Sequence, residues 1–289
     1  MSMLNIEKLK AMIRDWLEED LGTGDITSLA VIPEDHESIG IIHMKDQGII
    51  AGLPAAETVF REVDPGLHFR AHVEEGAHVS PGDVIARVHG RTRSILSGER
   101  LALNLLQRMS GVATKTGEFV RALQGLPVRL VDTRKTTPGH RMLEKYAVRV
   151  GGGHNHRFGL SDAVMIKDNH IKAAGGIEQA VLAAREMIPH TMKIEVETET
   201  LEQVQEALAA GADIIMLDNM PIDRMEEAVR MIRAHAEHVV IEASGGVTLE
   251  NVRSIAQTGV DVISVGGLTH SVRSLDISLD LNAKKERRI

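Results

Sequence analysis

The sequence predicts an α/β protein in which an incomplete parallel β/α barrel follows a smaller domain of short strands. Three observations predict it. Six apolar segments between residues 128 and 267 read as strands, amphipathic helical segments lie between most of them, and the strands are apolar along their length rather than alternating. Uniformly apolar strands joined by helices mark a parallel sheet buried on both faces. Six strands are fewer than the eight of a closed barrel, so the barrel is expected to be incomplete, with an open doubly wound sheet as the alternative.

The elements follow in chain order. Leu4, Leu9, Ile13, Trp16 and Leu17 recur at helical spacing and predict a surface helix over 4–19 with one buried stripe. Gly22, Gly24 and Asp25 end it. From about 26 to 95 the chain reads as short strands divided by Gly, Pro and Asp, among them SIGIIHMK, GIIAG, HFRAHV and DVIARVHG. The stretch VEEGAHVSPGDVIARVHG has the glycine spacing of lipoyl or biotinyl carrier hairpins but lacks their lysine, so it reads as tight turns in a small β domain.

Residues 97–124 switch to a helical period, with Leu101, Leu105, Met109, Val112 and Thr116 on one face and a break expected near Gly111. The six barrel strands are VRLVDT (128–133), AVMIKD (163–168), KIEVE (193–197), IIMLDN (214–219), VVIEAS (239–244) and VISVGG (262–267), with helices such as IEQAVLAAREMI and LEQVQEALAAG between them. The terminal LNAKKERRI is expected to form a short helix with a disordered end.

Composition removes several classes. A formal charge of -8 and 2% aromatic residues speak against a nucleic-acid binder, which needs basic excess and stacking surfaces. No cysteine is present, which excludes disulfides, thiolate metal sites and cysteine nucleophiles and fits a reducing cytoplasm. Neither a signal-peptide core nor a membrane-length apolar run occurs.

Polar residues gather where the strands end: Asp132 to Lys135, Lys167 and Asp168, Glu195 and Glu197, Asp218 and Asn219, Glu242 and Ser244, Gly266 and Gly267. Carboxyl ends of parallel strands converge on one rim, where active sites are built. Arg134, Lys135, His154, His156, Arg157 and Lys167 fall within 34 positions, which in an acidic protein points to a polyanionic ligand. Glu197 and Asp218 sit one strand apart and could bind Mg²⁺, hold ribose hydroxyls or stabilise a sugar cation. The turns Ser244-Gly245-Gly246 and Gly266-Gly267 follow the last two strands, where backbone N–H groups suit a phosphate. The segment GGGHNHRFG offers two histidines without a zinc pattern, so it reads as a close-approach loop carrying His156 and Arg157 to an anion.

At these residues the sequence resembles the quinolinate phosphoribosyltransferase family. The likeness rests on DTRKTTPGHRMLEKYAVRVGGGHNHRFGLSD, MIKDNHI, IEVE, MLDNM, EASGGV, VGGLTHSV and LDISLDL. The N-terminal EDLGTGDITS and the helical GERLALNLLQRMSGVAT match as well. The resemblance implies an N-terminal α/β sandwich-like domain over 1–111, an incomplete catalytic barrel over 112–270, and a segment 271–289 packing back on the first domain. It implies a Mg²⁺-dependent cytoplasmic enzyme that joins quinolinate to phosphoribosyl diphosphate and yields nicotinate mononucleotide, diphosphate and CO₂. The family works as homodimers or larger assemblies with shared sites.

Carried across, Thr133, Arg134, Lys135, His156, Arg157 and Lys167 would hold the quinolinate carboxylates and part of the phosphoribosyl diphosphate. Arg100 would enter from the neighbouring subunit. Glu197 and Asp218 would contact the ribose or its Mg²⁺, and Ser244, Gly245, Gly246, Gly266 and Gly267 the 5′-phosphate, with His270 close by. Lys135, Lys167, Glu197 and Asp218 are the expected catalytic set, and Mg²⁺ is expected to be held mainly by substrate. Two competing readings are a relative of the same fold with another acceptor and a non-catalytic phosphate-ligand sensor. The full cationic set favours quinolinate over a single-carboxylate acceptor, and the retained carboxylates disfavour the sensor.

Overall fold

The computed structural model describes residues 4–283. Its elements run in chain order as α1 (Ile6–Leu21), α2 (Ile26–Val31), β1 (Glu37–Met44), β2 (Gly48–Ile49), α3 (Leu53–Val63), β3 (His68–Ala71), β4 (His78–Val79) and β5 (Val84–Arg91). Then come α4 (Thr92–Ala122), β6 (Arg129–Val131), α5 (Arg141–Val150), β7 (Val164–Ile166), α6 (Asp168–Ala174), α7 (Ile177–Met187), β8 (Ile194–Thr198) and α8 (Leu201–Ala209). The chain continues with β9 (Ile214–Asp218), α9 (Ile222–His235), β10 (Val240–Ser244), α10 (Val252–Gln257), β11 (Val262–Ser264), α11 (Gly267–His270) and β12 (Ile277–Ala283). Two compact units emerge: residues 1–115, 142–151 and 271–289, and residues 116–141 with 152–270.

The first unit is built on a four-stranded antiparallel sheet in the order β12-β1-β5-β3. Helix α1 begins at Asn5, whose side chain accepts the Lys8 N–H, and buries Leu9, Ile13 and Leu17. Helices α2 and α3 depart from the expected run of strands. In α3, Leu53, Ala56, Val59 and Phe60 do share one helical face, and Pro54 suits a first turn. Its N-terminus lacks a capping side chain of its own. Glu75 supplies one, accepting the N–H groups of Gly52 (2.6 Å) and Leu53 (3.0 Å), a partner 22 residues away that no local motif reveals. Phe60 stacks on Phe69 of β3 with centroids 6.0 Å apart.

The expected break near Gly111 does not occur: α4 is continuous over 31 residues. Gly111 is there because a side chain would collide with the Arg273 carbonyl, so the glycine admits a neighbouring backbone rather than ending a helix. By internal contacts the first unit runs to residue 115 and takes in residues 142–151. The C-terminal stretch also differs. Residues 277–283 form β12 against β1, so the start of LNAKKERRI is strand rather than helix, and its remainder lies outside the described residues.

In the second unit all six expected strands are present, parallel, and ordered β6-β11-β10-β9-β8-β7. The first strand pairs with the last, and the others follow in sequence. Among the described residues β6 and β7 are not paired, which leaves the barrel open at one seam. The segment after α5 runs beside β6 through an isolated bridge between Val131 and His154.

At the amino-terminal ends of the strands one device recurs. In Gly211-Ala-Asp213 and Gly259-Val-Asp261 the aspartate leads into β9 or β11. Asp213 Oδ2 accepts the Ile194 N–H at 2.8 Å and Arg185 Nη2 at 2.9 Å; Asp261 Oδ2 accepts the Ile241 N–H at 2.8 Å and Arg233 Nη2 at 2.6 Å. Each therefore ties a strand to its neighbour and to the helix before that neighbour's start or end. Asp261→Ala would strand both donors and is expected to cost about 1–3 kcal/mol of stability, read as a lower melting temperature, while leaving rim chemistry unchanged.

Candidate active site

Parallel pairing fixes which residues share the barrel interior. Met165 pairs with Glu195, Glu197 with Met216, Met216 with Glu242, and Asp218 with Ser244. Side chains two apart on a strand share a face. The interior of the second unit thus receives Met165 and Lys167, Glu195 and Glu197, Met216 and Asp218, Glu242 and Ser244. A cavity of about 550 Å³ opens above them, lined from β6 round to β11 by Thr133 through Ser264.

One wall is cationic. Arg134 and Lys135 follow β6 in a turn closed by Thr133 Oγ1, which accepts the Lys135 N–H at 3.1 Å. Arg141 braces this turn, donating to Thr136 Oγ1, the Arg134 carbonyl and the Phe158 carbonyl. Asp132, fully buried, accepts the His156 N–H (2.9 Å) and Asn155 Nδ2 (2.6 Å) and so pins the glycine-rich loop. Arg157 donates to the Ala163 carbonyl (3.1 Å) and to Met165 Sδ (3.4 Å). Burial first, and then the neighbouring Arg134, pull its pKa below the ordinary arginine value. Among the described residues Arg134 Nε is buried with no hydrogen-bond partner, a donor left for a ligand.

Beneath this wall His156 Nε2 lies 3.4 Å from Glu195 Oε2 and 3.3 Å from Glu242 Oε2. Burial opposes charging the ring, but hydrogen bonding and charge from both glutamates outweigh it and draw the His156 pKa up to about 10. Glu195 is raised too, by burial and by the charge of Glu242. The Arg157 N–H approaches Nδ1 at 2.7 Å, which makes Nδ1 the acceptor and puts the ring proton on Nε2. The three donor atoms lie within 4.8 Å of one another, a spacing that a metal ion could use, but a protonated Nε2 offers it no lone pair.

The opposite wall is acidic. Lys167 Nζ pairs with Glu197 Oε2, and Asn219 Nδ2 donates to Asp218 Oδ2 at 2.8 Å. Asn219 has φ 53°, and its N–H donates to the Ser244 carbonyl at 2.9 Å. Gly245, at φ 85°, sits against the Asn219 carboxamide. On the next loop Thr269 Oγ1 donates to the Lys135 carbonyl at 2.7 Å, and Gly266 faces both Lys135 and the His270 ring.

Eleven expected residues therefore meet in one cavity: Thr133, Arg134, Lys135, His156, Arg157, Lys167, Glu197, Asp218, Ser244, Gly245 and Gly246. Gly266 and His270 border it through Lys135, and Gly267 opens α11 beside them. Arg100 lies on α4 in the first unit. His154 does not join the cluster; it is exposed and lines a separate groove with Val120 and Leu130. The cavity adds Met165, Met216, Asn219, Glu242 and Ser264, with Glu195 below. The signal for the two glutamates was present, since an acid inside an otherwise apolar strand needs a buried partner.

Comparison with known proteins bears on this site. Residues 112–280 match the family model "Quinolinate phosphoribosyl transferase, C-terminal domain", and residues 25–110 match its N-terminal domain. The chain is 48% identical over 283 residues to the Bacillus subtilis protein named probable nicotinate-nucleotide pyrophosphorylase [carboxylating], covering 98% of this chain and 96% of that one. It is 45% identical over 272 residues to the Mycobacterium leprae protein of the same description, covering 93% and 95%. The crystal structure of NadC from Streptococcus pyogenes superposes with a TM-score of 0.93 at 39% identity, covering 98% of this chain and 99% of that one.

Gly245→Ala would place a methyl group on the Asn219 carboxamide at a backbone angle that disfavours side chains. Loss of at least tenfold in affinity for inorganic phosphate, with an unchanged circular dichroism spectrum, is the expected result of titrating this variant.

Proposed function

The chain belongs to the quinolinate phosphoribosyltransferase family, and from that membership we propose that the barrel cavity is where phosphoribosyl diphosphate meets quinolinate. The enzyme transfers phosphoribosyl to the quinolinate nitrogen with loss of CO₂, giving nicotinate mononucleotide and diphosphate. The observation that carries the site assignment is the pairing, in one cavity, of a cationic wall with an unpartnered Arg134 Nε and a wall bearing Glu197 and Asp218.

The chemistry follows from the two walls. Quinolinate carries two adjacent carboxylates, which Arg134, Lys135 and Arg157 suit by fork geometry and charge. His156 has both ring nitrogens engaged by the protein, so it serves the acceptor by fixing Arg157 beside it. Backbone N–H groups at Ser244–Gly246 and Gly266–Gly267 would take the 5′-phosphate, with His270 at its edge. Glu197 and Asp218 face the ribose. As the C1–O bond to diphosphate breaks, positive charge grows on the sugar, and the two carboxylates stabilise it where it forms. The pyridine nitrogen then bonds to C1. The ring, now cationic at nitrogen, accepts the electron pair released when the C2 carboxylate leaves as CO₂, and a proton replaces it at C2.

Mg²⁺ would arrive with the diphosphate, neutralising its charge, and oxygen donors suit it. Glu197 is committed to Lys167, so Asp218 is the carboxylate open to it. Lys167 lies at the junction of the walls and would leave Glu197 for a substrate anion. The active unit is a homodimer or larger assembly in which Arg100 of one subunit completes the site of another. Among the described residues no helix is long and apolar enough to cross a membrane.

Supplied with quinolinate, phosphoribosyl diphosphate and Mg²⁺, the protein should release nicotinate mononucleotide and CO₂ in equal amounts, and nicotinate should not replace quinolinate. A folded protein that binds phosphoribosyl diphosphate without turning over quinolinate would point to another acceptor. Arg100→Ala and Lys167→Ala should each remove most activity, and mixing the two should restore part of it. Mixtures that stay inactive despite proven subunit exchange would remove the shared site.

A further inference from the structure

We propose that Glu195 and Glu242 are positioning residues for the acceptor, holding through His156 the cationic wall on which the dicarboxylate lands. The inference rests on the acceptor reading above and extends it to two buried residues beneath the cationic wall.

Both glutamates are interior residues of barrel strands, 2% and 3% exposed, and each leaves one oxygen without a protein partner among the described residues. Burying two carboxylates side by side is costly, and a core that needed only packing would carry apolar residues there. Their other oxygens converge from β8 and β10 on a single atom, His156 Nε2. The residue is thereby fixed at three points: ring Nε2 by the two glutamates, ring Nδ1 by the Arg157 N–H, and its backbone N–H by Asp132. Because the Arg157 N–H is one of these fixings, the ring's orientation sets the backbone that carries the Arg157 guanidinium. The charge of Glu195 acts on that guanidinium directly as well, opposing the repulsion from Arg134. The glutamates thus balance two adjacent arginines while the acceptor is absent and keep them aimed for its arrival. The donor side depends on other groups, the Ser244–Gly246 turn and Asp218 with Asn219.

The test is the split between the two substrates. Glu195→Gln and Glu242→Gln keep shape and remove one charge each. Each is expected to raise KM for quinolinate on the order of tenfold, the loss typical of a charge-assisted hydrogen bond. KM for phosphoribosyl diphosphate should stay within about twofold. Binding of benzene-1,2-dicarboxylate, which has both carboxylates but no nucleophilic nitrogen, should weaken in parallel by equilibrium titration. Melting temperatures, recorded alongside, identify a variant that is merely damaged, and the other variant then carries the test from its own strand. Folded variants with unchanged quinolinate KM and unchanged dicarboxylate affinity would overturn the proposal. So would equal rises in both KM values, which mark general support of the barrel. Should the wild-type protein fail to turn over quinolinate while the dicarboxylate titration still separates it from both variants, the acceptor reading fails and the positioning role stands.

Discussion

Alternate residues of six parallel strands point into one interior, and in this protein that interior is charged. Register decides the arrangement: once Glu197 is level with Met216 and Met216 with Glu242, Asp218 must stand level with Ser244 one layer up. Glu197, Met216 and Glu242 share one level, Met165 and Glu195 share another, and Asp218 and Ser244 stand two residues beyond Met216 and Glu242 on their strands. A shift of one residue in any strand would turn its polar side chains toward the surrounding helices. The aspartates at the opposite ends, Asp213 and Asp261, tie β9 and β11 to the strands beside them and so guard that register from below.

Charge inside a barrel has to be balanced locally, because low polarity magnifies every unpaired group. The balance here is layered. Glu195 and Glu242 share the His156 proton beneath Arg157; Asp132 closes on the loop that carries His156; Lys167 and Glu197 neutralise each other at the rim. Among the described residues the donor left over is Arg134 Nε, while Glu195 and Glu242 each keep one free acceptor oxygen. An anion entering the cavity therefore meets one donor held in place and others that must exchange a protein partner for it. Affinity gained this way is selective, since only a ligand with several negative groups can replace all the contacts it disturbs.

Backbone conformation does the corresponding work at the Ser244–Gly246 turn. Asn219 adopts φ 53° to reach both Asp218 and the Ser244 carbonyl, and Gly245 leaves room for its carboxamide. Strain of this kind persists where neighbouring contacts over-determine it, and here it sets the spacing between the Asp218 carboxylate and that turn.

By itself the sequence determined the six barrel strands, their shared direction, and most of the rim. Those features are written in local terms: apolar runs of strand length, helical spacing between them, and polar residues where each run stops. It also carried the family likeness through DTRKT and GGGHNHR. Tertiary structure alone decided what depends on partners distant in the chain. Helix α3 is capped by Glu75, so its start carries no capping residue of its own to read. Gly111 looked like a helix break because a glycine needed for a close backbone approach is chemically identical to one that ends a helix. Residues 277–283 became a strand because β1 offered an edge to pair with, an opportunity invisible in LNAKKERRI itself. The same reason separates the rim from its floor: a residue ending a strand announces itself, whereas Glu195 and Glu242 take their meaning from a histidine that a loop held by Asp132 must first bring between them.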